Sequence, residues 1–243
     1  QIKEKPDENF YKILNDLRRN SLGKLSSKRK VQKKINYGKY HRNVKDYPVT
    51  RTKSLFTRTK IENGYDKIIV RQPDSKEHYL KLPRDLEHIP DVDNNKLMVG
   101  ELGSIFKYRN RDLISDFSLN ITNSYSVALL HSLGVELVTL SIEMNDNQIR
   151  KLIECYEERY HAKPNLSLIV DTLPEAMIMK YDPLKGKYKE ESKYYLEDQF
   201  NNKYPIIRED NLTYIYNFEP IIKSNLDYYY AMGINDLRKN SIF

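Results

Sequence analysis

Nine polar side chains fall at the ends of short β-rich runs: Arg84, Glu101, Asp116, Ser118, Asn120, Asn123, Ser141, Glu143 and Asp171. Together they offer carboxylates, one guanidinium, hydroxyls and amides. Such a set can bind a small anion or carry out acid–base chemistry. Asp116, Asn120, Ser141 and Glu143 are the candidate catalytic groups, and Arg84, Glu101, Asn123 and Asp171 the candidate substrate-binding groups. Asp116 stands out because it sits inside the otherwise apolar run LISDFSLN, where a buried carboxylate needs a partner. A plainer reading stands beside this one: the same groups would satisfy each other and cap nearby helices.

Familiar catalytic spacings are absent. The chain has no Gly-rich phosphate loop and no HExxH, and His41, His78, His88, His131 and His161 lack metal-ligand spacing, so no metal or cofactor is expected. Cys155 is the only cysteine, which excludes an internal disulfide and any multi-cysteine metal site. It falls within an amphipathic helical stretch and reads as a packed thiol. His131, beside Leu129 and Leu130, reads as a packing residue. The chain has 20 tyrosines, concentrated late; sheet packing explains them as well as base stacking does.

These side chains need a scaffold, and the hydrophobic pattern supplies one. From Pro48 on, β-rich runs alternate with helical stretches. Strands are expected at Val49–Lys53, Lys67–Val70, Tyr79–Leu82, Leu97–Leu102, Leu113–Asn120, Leu137–Ile142, Leu166–Val170 and Leu237–Ile242. Helices are expected at Ser54–Asn63 with Gly64 as stop, at Ser124–Ser132, from Asn145 or Asp146 through Tyr160, and at Ile221–Met232. Asp116, Ser118 and Asn120 then share one face of the fifth strand. Alternating elements imply parallel pairing, and eight strands fit a (β/α)8 TIM-type barrel of the α/β class. An open doubly wound sheet is the alternative. Three further runs, Tyr194–Phe200, Tyr204–Arg208 and Leu212–Asn217, predict a small antiparallel β insertion (182–217) between strands seven and eight. Sites of such barrels gather at the C-terminal ends of the strands, where the nine residues fall.

The charge is uneven. Residues 1–50 carry a net +9 and the remainder a net −2, within a total of +7. This divides the chain into a basic helix and linker arm (1–46) and a barrel module (47–243). Lys28, Arg29, Lys30, Lys33 and Lys34 are the candidate nucleic-acid contacts, and a solvated linker explains them equally well. No apolar run spans a bilayer and no signal peptide opens the chain, so a cytoplasmic protein without membrane contact is expected. The chain begins at Gln1 rather than Met, which leads us to expect a processed form or a piece of a longer protein with an upstream domain.

The run LISDFSLNITNSYSVALLHSLGVELVTLSIEMNDNQI (113–149) resembles the collagenase-like peptidases of family U32, in their long bacterial form. LKLPRDL (80–86), LMVGELGSI (97–105), ILNDLRRNSLGKL (13–25), YLEDQFNNKYPI (195–206) and YIYN (214–217) resemble further segments of that family, in order. The resemblance implies a barrel-like fold, a bacterial cytoplasmic protein and a protease activity. Some members instead serve hydroxylation of transfer or ribosomal RNA and resemble iron–sulfur proteins. This chain departs from the pattern. Asp171-Thr172 replaces a His-Gly or Tyr-Gly pair, and the cysteines expected near Asp182 and Leu212 are absent. A thiolate-held cluster cannot be built from Cys155 alone. Two readings follow: a peptidase-like hydrolase taking peptide substrates, or a non-catalytic RNA- or ribosome-binding module.

Overall fold

The computed structural model describes residues 8–27, 44–84, 89–186, 193–209 and 211–242. The chain divides into two units, Gln1–Lys39 and Tyr40–Phe243. In the first, α1 spans Glu8–Ser27, and Tyr11, Ile13, Leu14 and Leu17 are exposed along it. Lys28, Arg29, Lys30, Lys33 and Lys34 lie outside the described residues.

The second unit is a closed barrel. Its strands are β1 (Thr52–Thr57), β2 (Lys67–Val70), β3 (Tyr79–Lys81), β4 (Lys96–Val99), β5 (Asp112–Ser115), β6 (Val135–Thr139), β7 (Leu166–Thr172) and, after the insertion, β13 (Asp236–Ser241). Each pairs in parallel with the next, and β13 pairs with both β7 and β1, closing the ring of eight. Closure removes the unpaired edges that an open sheet would expose. Helices α2 (Leu102–Lys107), α3 (Ser124–Ser132), α4 (Asp146–Tyr160) and α5 (Leu226–Met232) pack outside it. Among the described residues, the connections from β1 to β4 carry no helix.

Alternation along each strand sorts the side chains. Leu80, Leu97, Leu113, Val138, Leu168 and Leu237 point outward into the main core, where they meet Ile105, Val127, Ile149, Leu152 and Tyr156 of the helices. Phe56, Ile69, Met98, Ile114 and Leu137 point inward and fill the middle of the barrel. Polar layers lie below and above that plug.

β7 leads into a four-stranded antiparallel sheet of order β8-β11-β10-β9: β8 (Glu175–Met179), β9 (Tyr194–Glu197), β10 (Lys203–Glu209) and β11 (Leu212–Tyr216). The short β12 (Ile221–Ile222) then pairs antiparallel with β7. Leu212, Tyr214 and Tyr216 cluster with Ile242 and Leu173, so this sheet packs over the C-terminal end of the barrel.

Several expectations are corrected. The helix predicted over Ser54–Asn63 does not form: β1 runs to Thr57, because Ser54 and Phe56 are needed inside the barrel, and Gly64 serves a turn at φ 92°. The fifth strand stops at Ser115, and Phe117–Leu119 is a single 3-10 turn closed by Asn120 at φ 50°, so Asp116, Ser118 and Asn120 do not alternate on one strand face. Strand six runs over Val135–Thr139 rather than Leu137–Ile142. The helix predicted at Ile221–Met232 shortens to α5, where the Asn225 side chain accepts from Tyr228 N at 3.2 Å. The insertion begins at Glu175, a strand earlier than 182.

Candidate functional site

The polar layer at the C-terminal mouth is built from strand ends. Asp116 leaves β5 in extended conformation, its N–H donating to Val99 O at 2.8 Å, and its side chain is fully buried. Lys81 Nζ lies 2.8 Å from Asp116 Oδ2, and Arg238 Nη2 donates to Asp116 Oδ1 at 2.9 Å. All three side chains are at most 5% exposed. Arg84 pairs with Glu175 of β8. Gly100 makes room here: a Cβ on it would stand 2.6 Å from Ser118 Oγ and 3.1 Å from the Arg84 stem. Arg58 and Arg71 both donate to Glu209 Oε2 of β10, from Nη2 at 2.9 Å and Nε at 2.8 Å. Arg58 also donates to the Tyr216 hydroxyl at 2.7 Å, and Arg71 to the Tyr214 hydroxyl at 3.3 Å.

Aromatic rings wall the layer. Lys81 Nζ stands 4.6 Å from the Phe56 centroid and 5.8 Å from that of Phe117, and the Arg84 guanidinium 5.7 Å from Phe117. Among the described residues, five cations (Arg58, Arg71, Lys81, Arg84, Arg238) thus meet three carboxylates (Asp116, Glu175, Glu209). Arg238 Nε and Asn240 Oδ1 are buried there without a hydrogen-bond partner.

The electrostatics follow from burial and this imbalance. Burial pushes the Asp116 carboxyl up, but Lys81, Arg238 and Arg84 outweigh it and hold it well below the usual carboxylate range. Lys81 goes to about 7, because burial disfavours its charge and Arg84 and Arg71 add to that, against the opposing pull of Asp116. A lysine so tuned exchanges a proton near neutral pH, which is what acid–base or nucleophilic work asks of it.

Of the sequence-predicted residues, Arg84 and Asp116 meet at this mouth. Glu101 caps α2, accepting from Gly103 N and Ser104 N at 2.5 Å each. Asn123 caps α3, accepting from Ser126 N at 3.0 Å. Ser141 is buried and its hydroxyl accepts from Glu143 N at 3.3 Å, while the Glu143 and Asn120 side chains face solvent. Asp171 lines a separate cavity of about 480 Å³ with Lys53, Glu62, Lys223 and Lys239. Sequence reasoning missed Arg58, Arg71, Lys81, Glu175, Glu209, Arg238 and Asn240. One signal was available: Asp236, Arg238 and Asn240 alternate with outward-facing Leu237 along β13, polar residues at a period of two where a strand buried on both faces would be apolar.

No protein-family model matches the chain, and no curated protein matches it by sequence. Among solved structures, the fold is similar to that of a U32 peptidase, Mk0906, with a TM-score of 0.47 and 10% identity, over 84% of this chain and 97% of that one. At that level of similarity nothing about chemistry follows, and the barrel stands on its own strand pairing. Among the described residues, no helix is long and apolar enough to cross a membrane, and no group of three or more His, Cys, Asp or Glu is arranged to hold a metal ion.

Proposed function

We propose that this is a U32-peptidase-like barrel that binds the carboxylate of a small ligand or peptide end at its mouth. The observation that carries this reading is the surplus, among the described residues, of buried cations over carboxylates around Asp116, with Arg84 Nε and Arg238 Nε buried without a hydrogen-bond partner. Buried charge of one sign is costly unless paired, and a bound anion supplies the missing partner. Arginine forks suit a carboxylate because they donate two parallel N–H bonds. Calorimetric titration of peptides with free and amidated C-termini, and of small carboxylates beside their methyl esters, tests the reading. Binding should require the free carboxylate and should weaken by about tenfold or more in Arg84→Ala, a loss of about 1.4 kcal/mol. Equal affinity for acids and esters would overturn it. A peptidase assay on gelatin-like substrates, run on the parent and on Asp116→Ala and Glu143→Ala, tests whether hydrolysis follows binding.

The net +9 of residues 1–50 favours a second reading, in which the arm contacts RNA. Transfer-RNA binding should then fall steeply with salt and be lost on deletion of residues 1–46. Binding insensitive to that deletion would remove this reading.

A further inference from the structure

We propose that Lys81 is a carbonyl-trapping amine: the mouth takes a 2-oxo acid, whose carboxylate the arginines hold while Lys81 Nζ forms an imine with the adjacent carbonyl. The inference rests on the carboxylate-binding reading and names the substrate class for it.

Four features of the site carry it. Among the described residues, Lys81 is the one amine in a layer of guanidinium groups, and an amine can attack a carbonyl carbon where a guanidinium does not. Its side chain is 5% exposed, and loss of solvent favours the neutral, nucleophilic amine over the ammonium against the attraction of the Phe56 ring face. The descent of its pKa to about 7 has this same origin, with Arg84 and Arg71 contributing. Third, Asp116 Oδ2 is 2.8 Å from Nζ and can relay protons during the attack. Fourth, Arg238 Nε and Asn240 Oδ1, both buried on β13, have no hydrogen-bond partner, leaving a donor and an acceptor for a ligand with two kinds of oxygen. A carboxylate takes the donor, and the water or carbinolamine hydroxyl that forms beside it takes the acceptor.

The step balances without any redox partner. The starting ammonium first passes one proton by way of Asp116 to the carbonyl oxygen, and the freed nitrogen lone pair adds to the carbonyl carbon as the C–O π pair moves to that oxygen. The carbinolamine then loses that oxygen as water. Two protons from the starting ammonium leave with it, and the product is a protonated imine on Lys81. Positive charge is conserved, so Asp116 keeps its counter-ion throughout.

Borohydride reduction during incubation with pyruvate turns the imine into a stable secondary amine, which peptide mass spectrometry locates. The expected result is one carboxyethyl group on Lys81, in roughly tenfold excess over any surface lysine, and its loss in Lys81→Arg. Should Lys81→Arg fail to fold by circular dichroism, the parent chain still decides by adduct position. Pyruvate binding with no adduct on Lys81 would overturn the imine and leave the carboxylate reading standing. Absence of both binding and adduct would overturn the two together. An adduct spread evenly over lysines, or unchanged in Lys81→Arg, would also overturn the imine.

Discussion

The barrel carries buried charge at both ends, and the two ends treat it differently. At the floor, Asp236 is fully buried, and Thr52, Ser54 and Ser167 donate to it at 2.9, 2.6 and 2.7 Å. Lys67 Nζ lies 3.7 Å away. One carboxylate is thus surrounded by donors from β1, β2 and β7, each of which has an acceptor. Among the described residues, cations at the mouth exceed carboxylates, three buried polar atoms (Arg84 Nε, Arg238 Nε and Asn240 Oδ1) lack hydrogen-bond partners, and two of the three carboxylates come from the insertion rather than from the barrel. A satisfied network fixes strand register; an unsatisfied one leaves capacity for something else. The contrast matches the division of labour in such barrels, with stability at the N-terminal face and chemistry at the C-terminal face.

Removing a carboxylate from each end is the strongest way to break this comparison. Asp116→Ala strands Lys81 and Arg238 without their nearest counter-charge and should cost about 3–5 kcal/mol in urea unfolding. Asp236→Ala leaves the Ser54 and Ser167 hydroxyls without an acceptor and Thr52 with only its longer bond to Asn235 O, and should cost about 3 kcal/mol, with carboxylate binding at the mouth unchanged in the folded fraction. Lys81→Met gives the opposite pattern. Stability should change by about 1 kcal/mol or less, because Asp116 keeps Arg238 and a desolvated charge is gone, while the borohydride adduct disappears. If the Asp236 variant lost binding as severely as stability, the division between the ends would fail.

How far each end was legible in the sequence also differs. Local chemistry was readable: Lys67–Val70 and Ser124–Ser132 form as the pattern predicts, and Asn145 caps α4 in a capping box with Gln148. Eight strands were countable, but the choice of a closed barrel over an open sheet rests on the pairing of β13 with both β1 and β7. Arg84 and Asp116 were legible as mouth residues because they follow or end strands. Arg58, Glu175 and Glu209 were not, since their roles depend on the insertion folding back over the barrel; Arg58 and Glu209 are 151 residues apart in the chain. Ser54–Asn63 misled because its residues can be helical in isolation, and pairing with β13 and β2 overrides that preference. Glu101 was expected to end strand four and Asn123 to start the loop after strand five; β4 stops at Val99 and β5 at Ser115, and both residues are helix caps that spend their side chains on backbone N–H groups.

Acid separates the ends a second way. Near the floor, His131 Nδ1–H donates to Val135 O at 2.8 Å, and Nε2 accepts from Asn165 N–H at 3.2 Å, which fixes the neutral tautomer. Tyr47 and Tyr156 pack against the ring. Burial lowers its pKa to about 4; the bond to Val135 works the other way, and Lys45 adds to the lowering. The unfolded chain therefore holds more protons than the folded one between the ordinary histidine value of about 6.5 and about 4. The contribution is fully present above that window and is lost as pH falls through it, by about 3 kcal/mol. Asp116, held far lower by its three cations, stays ionised over the same range, so the mouth should be spared. Urea titrations at a series of pH values, in the parent and in His131→Gln, check this: the slope below pH 6.5 should flatten in the variant. An unchanged slope would assign the acid sensitivity to other groups.

The smallest expected effect bears on the insertion as a cover. Burial raises the Glu209 pKa, but Arg58 and Arg71 outweigh it and keep the carboxylate ionised at neutral pH. Its side chain is 16% exposed and those of Arg58 and Arg71 8% and 4%, so the pairs are largely desolvated. Glu209→Gln keeps the shape and a hydrogen-bond acceptor for both arginines and should cost about 1–2 kcal/mol of stability. It also removes one of the anions that balance the mouth, which raises the local positive potential. Carboxylate affinity should therefore rise by about two- to fivefold, and the gain should shrink as salt screens the field. The matched change at the floor, Lys67→Gln, withdraws a charge from a carboxylate that keeps three hydroxyl donors and should leave affinity where it was. Calorimetry on the two variants at low and high salt measures the difference. Equal affinities would mean that the excess charge of the mouth is already neutralised from within, and that its likeness to the floor is closer than the geometry indicates.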